Sequence, residues 1–196
     1  MHLAFDIFQG IGVAAAVGIR PFLPSLVTGV LAAGAVELNY KHTDFSFLQK
    51  PVFLLIMVVG VVLLSVLERR LAARTEEPRW MTYSLAAISL ALGALFFGGE
   101  LARNHDAVVI GIVAGVLCAA VGVLATKPLL ARVRARLDAD AVGALPLIAE
   151  AAATLGAALS IVAPPVGVIL LLALLWLMIA GRGRQPQKYA GLRILR

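Results

Sequence analysis

The sequence predicts an all-α membrane protein, a six-span helical bundle with a broken first helix, whose halves echo each other as an inverted 3+3 repeat. Three observations carry this expectation. The 196 residues are 61% hydrophobic and 14% charged, with a mean hydropathy of +0.97, whereas a soluble domain is about 45–50% apolar and about 25% charged. One soluble core of this size cannot hide so much apolar surface. Apolar segments of about 20 residues, the length that crosses a bilayer as a helix, recur between short polar stretches. Basic residues gather on the loops of one side, as expected of the cytoplasmic face of a membrane protein.

The elements follow in order. The first span, residues 7–36, is over-long and carries a single charge, Arg20, followed by Pro21 and Pro24. Proline removes a backbone donor and clashes with the preceding turn, so the helix is expected to break there. The second span, 51–67, is closed by Glu68, Arg69 and Arg70. The third is 80–99. The fourth, 107–126, is closed by Lys127 and Pro128. The fifth, 141–162, contains Glu150, and Pro164 and Pro165 separate it from the sixth, 163–181, in a tight hairpin. Residues 182–196 form a basic tail expected in the cytoplasm. Asp6 and the lack of a basic N-terminal region argue against a cleaved signal peptide.

The distribution of the 17 basic residues supports this reading. Six spans place the 71–79 loop, the 127–140 loop and the tail on one side, with Arg69, Arg70, Arg74, Arg79, Lys127, Arg132, Arg134, Arg136, Arg182, Arg184, Lys188, Arg193 and Arg196. Lys41, Lys50 and Arg103 lie on the other side, and Arg20 is the remaining one. Both termini are then expected in the cytoplasm of a bacterial inner membrane. The net charge of +6 is a topology signal and not a nucleic-acid surface. Membrane lipids are the expected surroundings, and the clusters suit anionic headgroups. The lone cysteine, Cys118, forms no intrachain disulfide and reads as a buried packing residue.

Small residues at four-residue spacing, Gly111-Gly115-Ala119, Gly10-Ala14-Gly18 and Ala149-Ala153, let membrane helices approach closely. They serve either packing within the chain or a homodimer seam. The repeat rests on GVAAAVGIRPFL from Gly12 and GVLCAAVGVLATKPLL from Gly115, each ending in a basic residue and proline. Inverted repeats with interrupted helices are a common design of secondary transporters.

Arg20 leads the candidate site. A charge at membrane depth costs at least ~2.5–3.5 kcal/mol, and a guanidinium fork matches carboxylate or phosphate. Pro21, Pro24, Ser25 and Thr28 fall near one helical face beside it, and a helix restarted after Pro21 would turn free N–H groups toward the same anion. Glu150, deep in the fifth span, is expected to pair with Arg20 or to carry a proton. Glu68 and Lys127 are secondary candidates, read first as an interfacial salt bridge and a helix end. His105 and Asp106 make a weak metal pattern, so no metal is expected. Phosphate-loop, zinc and nucleophile-elbow motifs are missing, so neither an enzyme nor a cofactor is expected.

The element Gly18-Ile19-Arg20-Pro21-Phe22-Leu23-Pro24 resembles the Gly-Leu-Arg-x-Phe-x-Pro element of the bacterial membrane family called domain of unknown function 4126. Gly143, Pro146 and Glu150, the proline hairpin, the Leu-rich last helix and the tail Lys188-Tyr189-Ala190-Gly191-Leu192-Arg193 are similar to that family's C-terminal pattern. Two arginines follow Glu68 where the family pattern has mixed charge. The resemblance implies a multi-pass inner-membrane protein and singles out Arg20 and Glu150.

The functional expectation is a small transporter or lipid-phosphate translocase for an anionic small molecule or lipid phosphate bound at Arg20. The alternative is a non-catalytic accessory or scaffold subunit of a membrane complex, docked through the basic tail.

Overall fold

A computed structural model describes residues 2–71, 78–103, 107–134, 136–137 and 143–182; the side chains of His2, Arg69, Leu71 and Arg182 are outside it. Residues 138–142, the pair His105 and Asp106, and the tail 183–196 lie outside the described residues, so the expectations placed on them have no structural counterpart.

The described chain is helical: α1 (His2–Ile19), α2 (Phe22–Ala33), a 3-10 turn (Ser46–Gln49), α3 (Pro51–Leu71), α4 (Arg79–Ala102), α5 (Val108–Arg134), α6 (Leu145–Val162) and α7 (Pro165–Arg182). Four of these, α3 to α6, are long and apolar enough to cross a membrane; α1, α2 and α7 are shorter apolar helices.

The hub is α1, which packs against α4, α5, α6 and α7. Its run Val13-Ala14-Ala15-Ala16-Val17 is fully buried. Small side chains allow this. A Cβ on Gly18 would lie 2.9 Å from Ala119 Cα, and one on Gly122 would lie 2.5 Å from Ala15 O, so the α1 and α5 backbones touch where dispersion between close helices substitutes for hydrophobic drive. The small-residue stripes therefore serve packing within the chain.

The first expected span is corrected. The expected break at Arg20 and Pro21 is present, but beyond it the chain turns back on itself and does not continue the span. Arg20 N–H still donates to Ala16 O. Pro21 has no N–H, so the ladder stops, and Pro21 becomes the N-cap of α2. Pro24 sits in the first turn of α2, where a missing donor costs least. Beyond the turn, Phe22 lies over Gly60 and Gly29 lies beside Leu48 and Leu54, so α2 runs antiparallel to α3. Glu37, after α2, shares a cavity with Asp6 and Gln9 of α1. The segments before and after Arg20 therefore return to the same end of the bundle.

This reversal changes the topology. The start of α1 lies with the α6–α7 turn, because Gly167 packs on Phe8 O and Gly12. The end of α7 lies at the opposite end, where Gly181 meets Arg132. The first and last described residues are at opposite ends, whereas six crossings would bring them together. The repeat equivalence also fails locally: α5 continues through Lys127 and Pro128 to Arg134, while the chain reverses at Arg20 and Pro21.

Candidate functional site

Arg20 occupies the turn between α1 and α2 and is 8% exposed. Two other helices bring acids to it. Glu68 lies in the last turn of α3, and Glu150 in the second turn of α6. The guanidinium Nη1 of Arg20 donates to Glu68 Oε1 in an ion pair. The expected Arg20–Glu150 pair is thus corrected: Glu68 takes the guanidinium. The glycine at position 60 accounts for this. With no side chain there, the Phe22 ring packs directly onto α3, and the last turn of that helix ends beside Arg20.

Glu150 is also 8% exposed and lies within electrostatic reach of both Arg20 and Glu68. Among the described residues, Arg20 Nε and Glu150 Oε1 are buried without a hydrogen-bond partner. Buried polar atoms are nearly always satisfied, and those that are not call for an explanation. The result is a triad of one guanidinium and two carboxylates from three elements, with Arg20 and Glu150 buried and Glu68 partly exposed.

The other expected residues divide. Pro21, Pro24, Ser25 and Thr28 are all buried on α2 or its cap. The two hydroxyls do not point protons at an anion. Ser25 Oγ donates to Pro21 O and Thr28 Oγ1 donates to Pro24 O, the i−4 back-bonding that competes with other partners. With Pro21 and Pro24 lacking N–H groups, Phe22 and Leu23 supply the unused donors of the first turn of α2. Lys127 is exposed, and its Nζ donates to Thr82 O at 3.0 Å, tying α5 to α4. Gly18 packs beside Gly122, which lies five residues, or roughly 7.5 Å of helical rise, below Lys127. Arg20 therefore sits near the Lys127 end of the bundle and not at its middle.

A second polar cluster lies at the opposite end. Glu100, near the end of α4, is 0% exposed. Tyr40 Oη donates to its Oε1 at 2.6 Å, and Arg103 Nη1 donates to its Oε2 at 2.8 Å. Arg103 also donates to Glu37 O at 3.1 Å. Glu37 and Ala35 hold left-handed backbone angles (φ 57° and 54°), which bends the chain after α2 toward Arg103. Burial, with the Glu100 carboxylate beside it, pushes the Tyr40 phenol well above its ordinary value, and Arg103 opposes this. An open cavity of about 370 Å³ adjoins the cluster, lined by Asp6, Gln9, Glu37 and Arg103. Tyr40 and Glu100 are 60 residues apart, and nothing in the sequence pointed to their pairing.

Among the described residues, no three metal-ligating side chains gather. Cys118 is buried. No protein-family model, no curated protein and no solved structure matches this chain. The likeness to the bacterial membrane family therefore rests on the quoted residues alone.

Proposed function

We propose that this protein is a small bacterial inner-membrane transporter or lipid-phosphate translocase in which Arg20 binds the anionic group of the substrate. The observation that carries the reading is the Arg20–Glu68 pair at a helix reversal. Glu68 belongs to α3, whose window 51–68 is only 11% buried and which packs chiefly on α2 and the 3-10 turn. A carboxylate on so lightly held a helix is a replaceable partner. An entering anion takes the guanidinium, Glu68 is released, and α3 moves with it. Glu150 then carries the proton or cation that balances the second carboxylate, since a lone charge in such a site is costly.

The membrane arrangement belongs to the same proposal. The bundle crosses an odd number of times, with the α1–α2 hairpin either entering and returning or crossing twice. Arg79, Lys127 and Arg132 mark the cytoplasmic end by the positive-inside rule. The C-terminus is then inside and the N-terminus outside.

The test is lipid movement in reconstituted vesicles, read as the loss of fluorescence when a chemical quencher reaches a headgroup-labelled phospholipid. Wild type accelerates exchange between leaflets, and Arg20→Leu does not. Exchange no faster than in protein-free vesicles removes the translocase arm; no Arg20-dependent uptake of small anions removes the transporter arm. The accessory-subunit reading draws on the exposed apolar faces of α3, including Val52, Leu55 and Leu63, which suit a partner helix. Co-purification of one membrane protein, lost when residues 183–196 are deleted, favours that reading.

A further inference from the structure

The charges at the α1–α2 turn do not balance. Arg20 faces two carboxylates, Glu68 and Glu150, and one carboxylate is in surplus. The two unsatisfied atoms, Arg20 Nε and Glu150 Oε1, are of opposite character, a donor and an acceptor. Both residues are more than nine-tenths buried. A ligand that completes this site offers an acceptor to Arg20 and a donor, preferably cationic, to Glu150.

An apolar groove of about 170 Å³ lies beside the triad, lined by Phe22, Gly60, Leu64, Leu67, Trp80 and Met81. Its lining residues neighbour the charges along the chain. Phe22 is two residues from Arg20, and Leu64 and Leu67 are one turn and one residue before Glu68 on α3. Exposed Arg70 and Arg79 stand at the same end. A polar head among buried charges, a groove for a chain and a basic rim describe an amphiphile.

We propose that this site holds a phospholipid whose headgroup carries both a phosphate and an amine, with the phosphate on Arg20, the ammonium on Glu150 and one acyl chain in the groove. This rests on the anion-binding reading of Arg20 and narrows its substrate. A headgroup with only negative charge satisfies Arg20 but sets its phosphate against Glu150 and Glu68. An amine offsets the charge of the phosphate, so the lipid adds no further negative charge to the site, and it gives Glu150 Oε1 its missing donor. A guanidinium is well suited to the phosphate because its fork reaches two oxygens at once.

The test is native mass spectrometry of the full chain, released from mild detergent after incubation with equimolar phosphatidylethanolamine and phosphatidylglycerol of identical acyl chains. Wild type is expected to retain phosphatidylethanolamine in preference by about tenfold, the worth of one hydrogen bond to a charged group. Glu150→Gln, which keeps shape and removes charge, is expected to abolish the preference, both by taking the partner of the ammonium and by relieving the repulsion on phosphatidylglycerol, whose retention should rise. Leu64→Trp, which fills the groove without touching the charges, is expected to weaken both lipids alike. A phosphatidylethanolamine preference that survives Glu150→Gln overturns the proposal. So does equal or better retention of phosphatidylglycerol by wild type; if that retention is lost in Arg20→Leu, the anion-binding reading stands and only the amine falls. Retention of neither lipid, or equal retention in Arg20→Leu, removes the lipid reading of Arg20 as well.

Discussion

Replacing Glu68 by leucine isolates what the Arg20–Glu68 pair contributes. The two side chains are 10% and 18% exposed, so the pair belongs with buried ion pairs and not with the surface pairs worth about 0.2–1 kcal/mol. Removing one partner of a buried pair costs about 3–5 kcal/mol, because it leaves a buried charge uncompensated. Arg20 already has one unpartnered donor, which raises the cost. Glu150 remains within electrostatic reach, which lowers it, so the expected loss is near the bottom of that range, about 3 kcal/mol. For a chain of this size that lowers the melting temperature by about 6–12 °C on the scaling of globular proteins. Arg20→Leu alone should fall by a similar amount. The double substitution should recover most of the loss, since an apolar replacement of a whole buried pair is often neutral or stabilising. Thermal unfolding in one detergent, followed by size-exclusion of the soluble fraction, reads all four proteins of the cycle. Single variants that melt with wild type, or a double variant whose loss equals the sum of the singles, refute the pair as a structural latch. A recovered double variant also separates fold from function: it is stable and has no anion-binding group.

Other outcomes follow from the packing and the second polar cluster. Gly115→Leu should cost about 1–3 kcal/mol or more, because a Cβ there lies 2.8 Å from Gly93 C and 2.9 Å from Ala94 Cα, backbone that cannot step aside. Gly156→Ala meets only the flexible end of Leu170, at 3.1 Å, and should melt within a degree or two of wild type. Tyr40→Phe leaves Glu100 Oε1 without its 2.6 Å donor and should cost about 1–3 kcal/mol. The Tyr40 phenol is raised in the folded protein. Its contribution is therefore present in full below its ordinary value of about 10 and is lost as the pH rises through the folded value. Melting curves from neutral pH upward should show wild type losing stability at the alkaline end and Tyr40→Phe losing less; parallel curves count against the Tyr40–Glu100 bond.

Composition made the helical class legible, because 61% hydrophobic residues leave few alternatives. Most boundaries were legible from where apolar runs meet charge or proline. The location of the first break was legible too, since Pro21 has no donor to continue the ladder. Its consequence was not. A proline states that the hydrogen bonding stops; whether the chain kinks or reverses is decided by what the next helix finds to pack on. Here α2 finds α3 through Phe22 on Gly60, and α6 on its other side. That contact also chose Glu68 over Glu150 as the partner of Arg20, so the same unseen packing produced both errors. Lys127-Pro128 carries the same local signal as Arg20-Pro21, yet α5 continues through it, which shows how little two residues say about a turn. Tyr40 and Glu100 were invisible as a pair because nothing in their spacing joins a loop to a helix end.

The reversal at Arg20 makes the sharpest claim about how the chain sits in a membrane, and three single cysteines decide it. Cys118 is buried and Cys118→Ala gives a background without thiols. Ala4, Glu37 and Leu137 are exposed, so Ala4→Cys, Glu37→Cys and Leu137→Cys report on the first turn of α1, the segment after α2 and the segment after α5. A single long first span puts positions 4 and 137 on one face and position 37 on the other. The hairpin puts 4 and 37 together and 137 opposite. A membrane-impermeant maleimide applied to intact spheroplasts and to inverted vesicles should label positions 4 and 37 from outside and position 137 from inside. Labelling of 4 and 137 from the same face contradicts the hairpin, and with it the case for Arg20 as a group near the cytoplasmic end. The expected pattern has a mechanistic consequence. It leaves Arg20, Glu68 and Glu150 one or two turns inside the basic face, at the depth where a phosphate headgroup already lies, so a lipid reaches the site sideways past α3 without first crossing the bilayer.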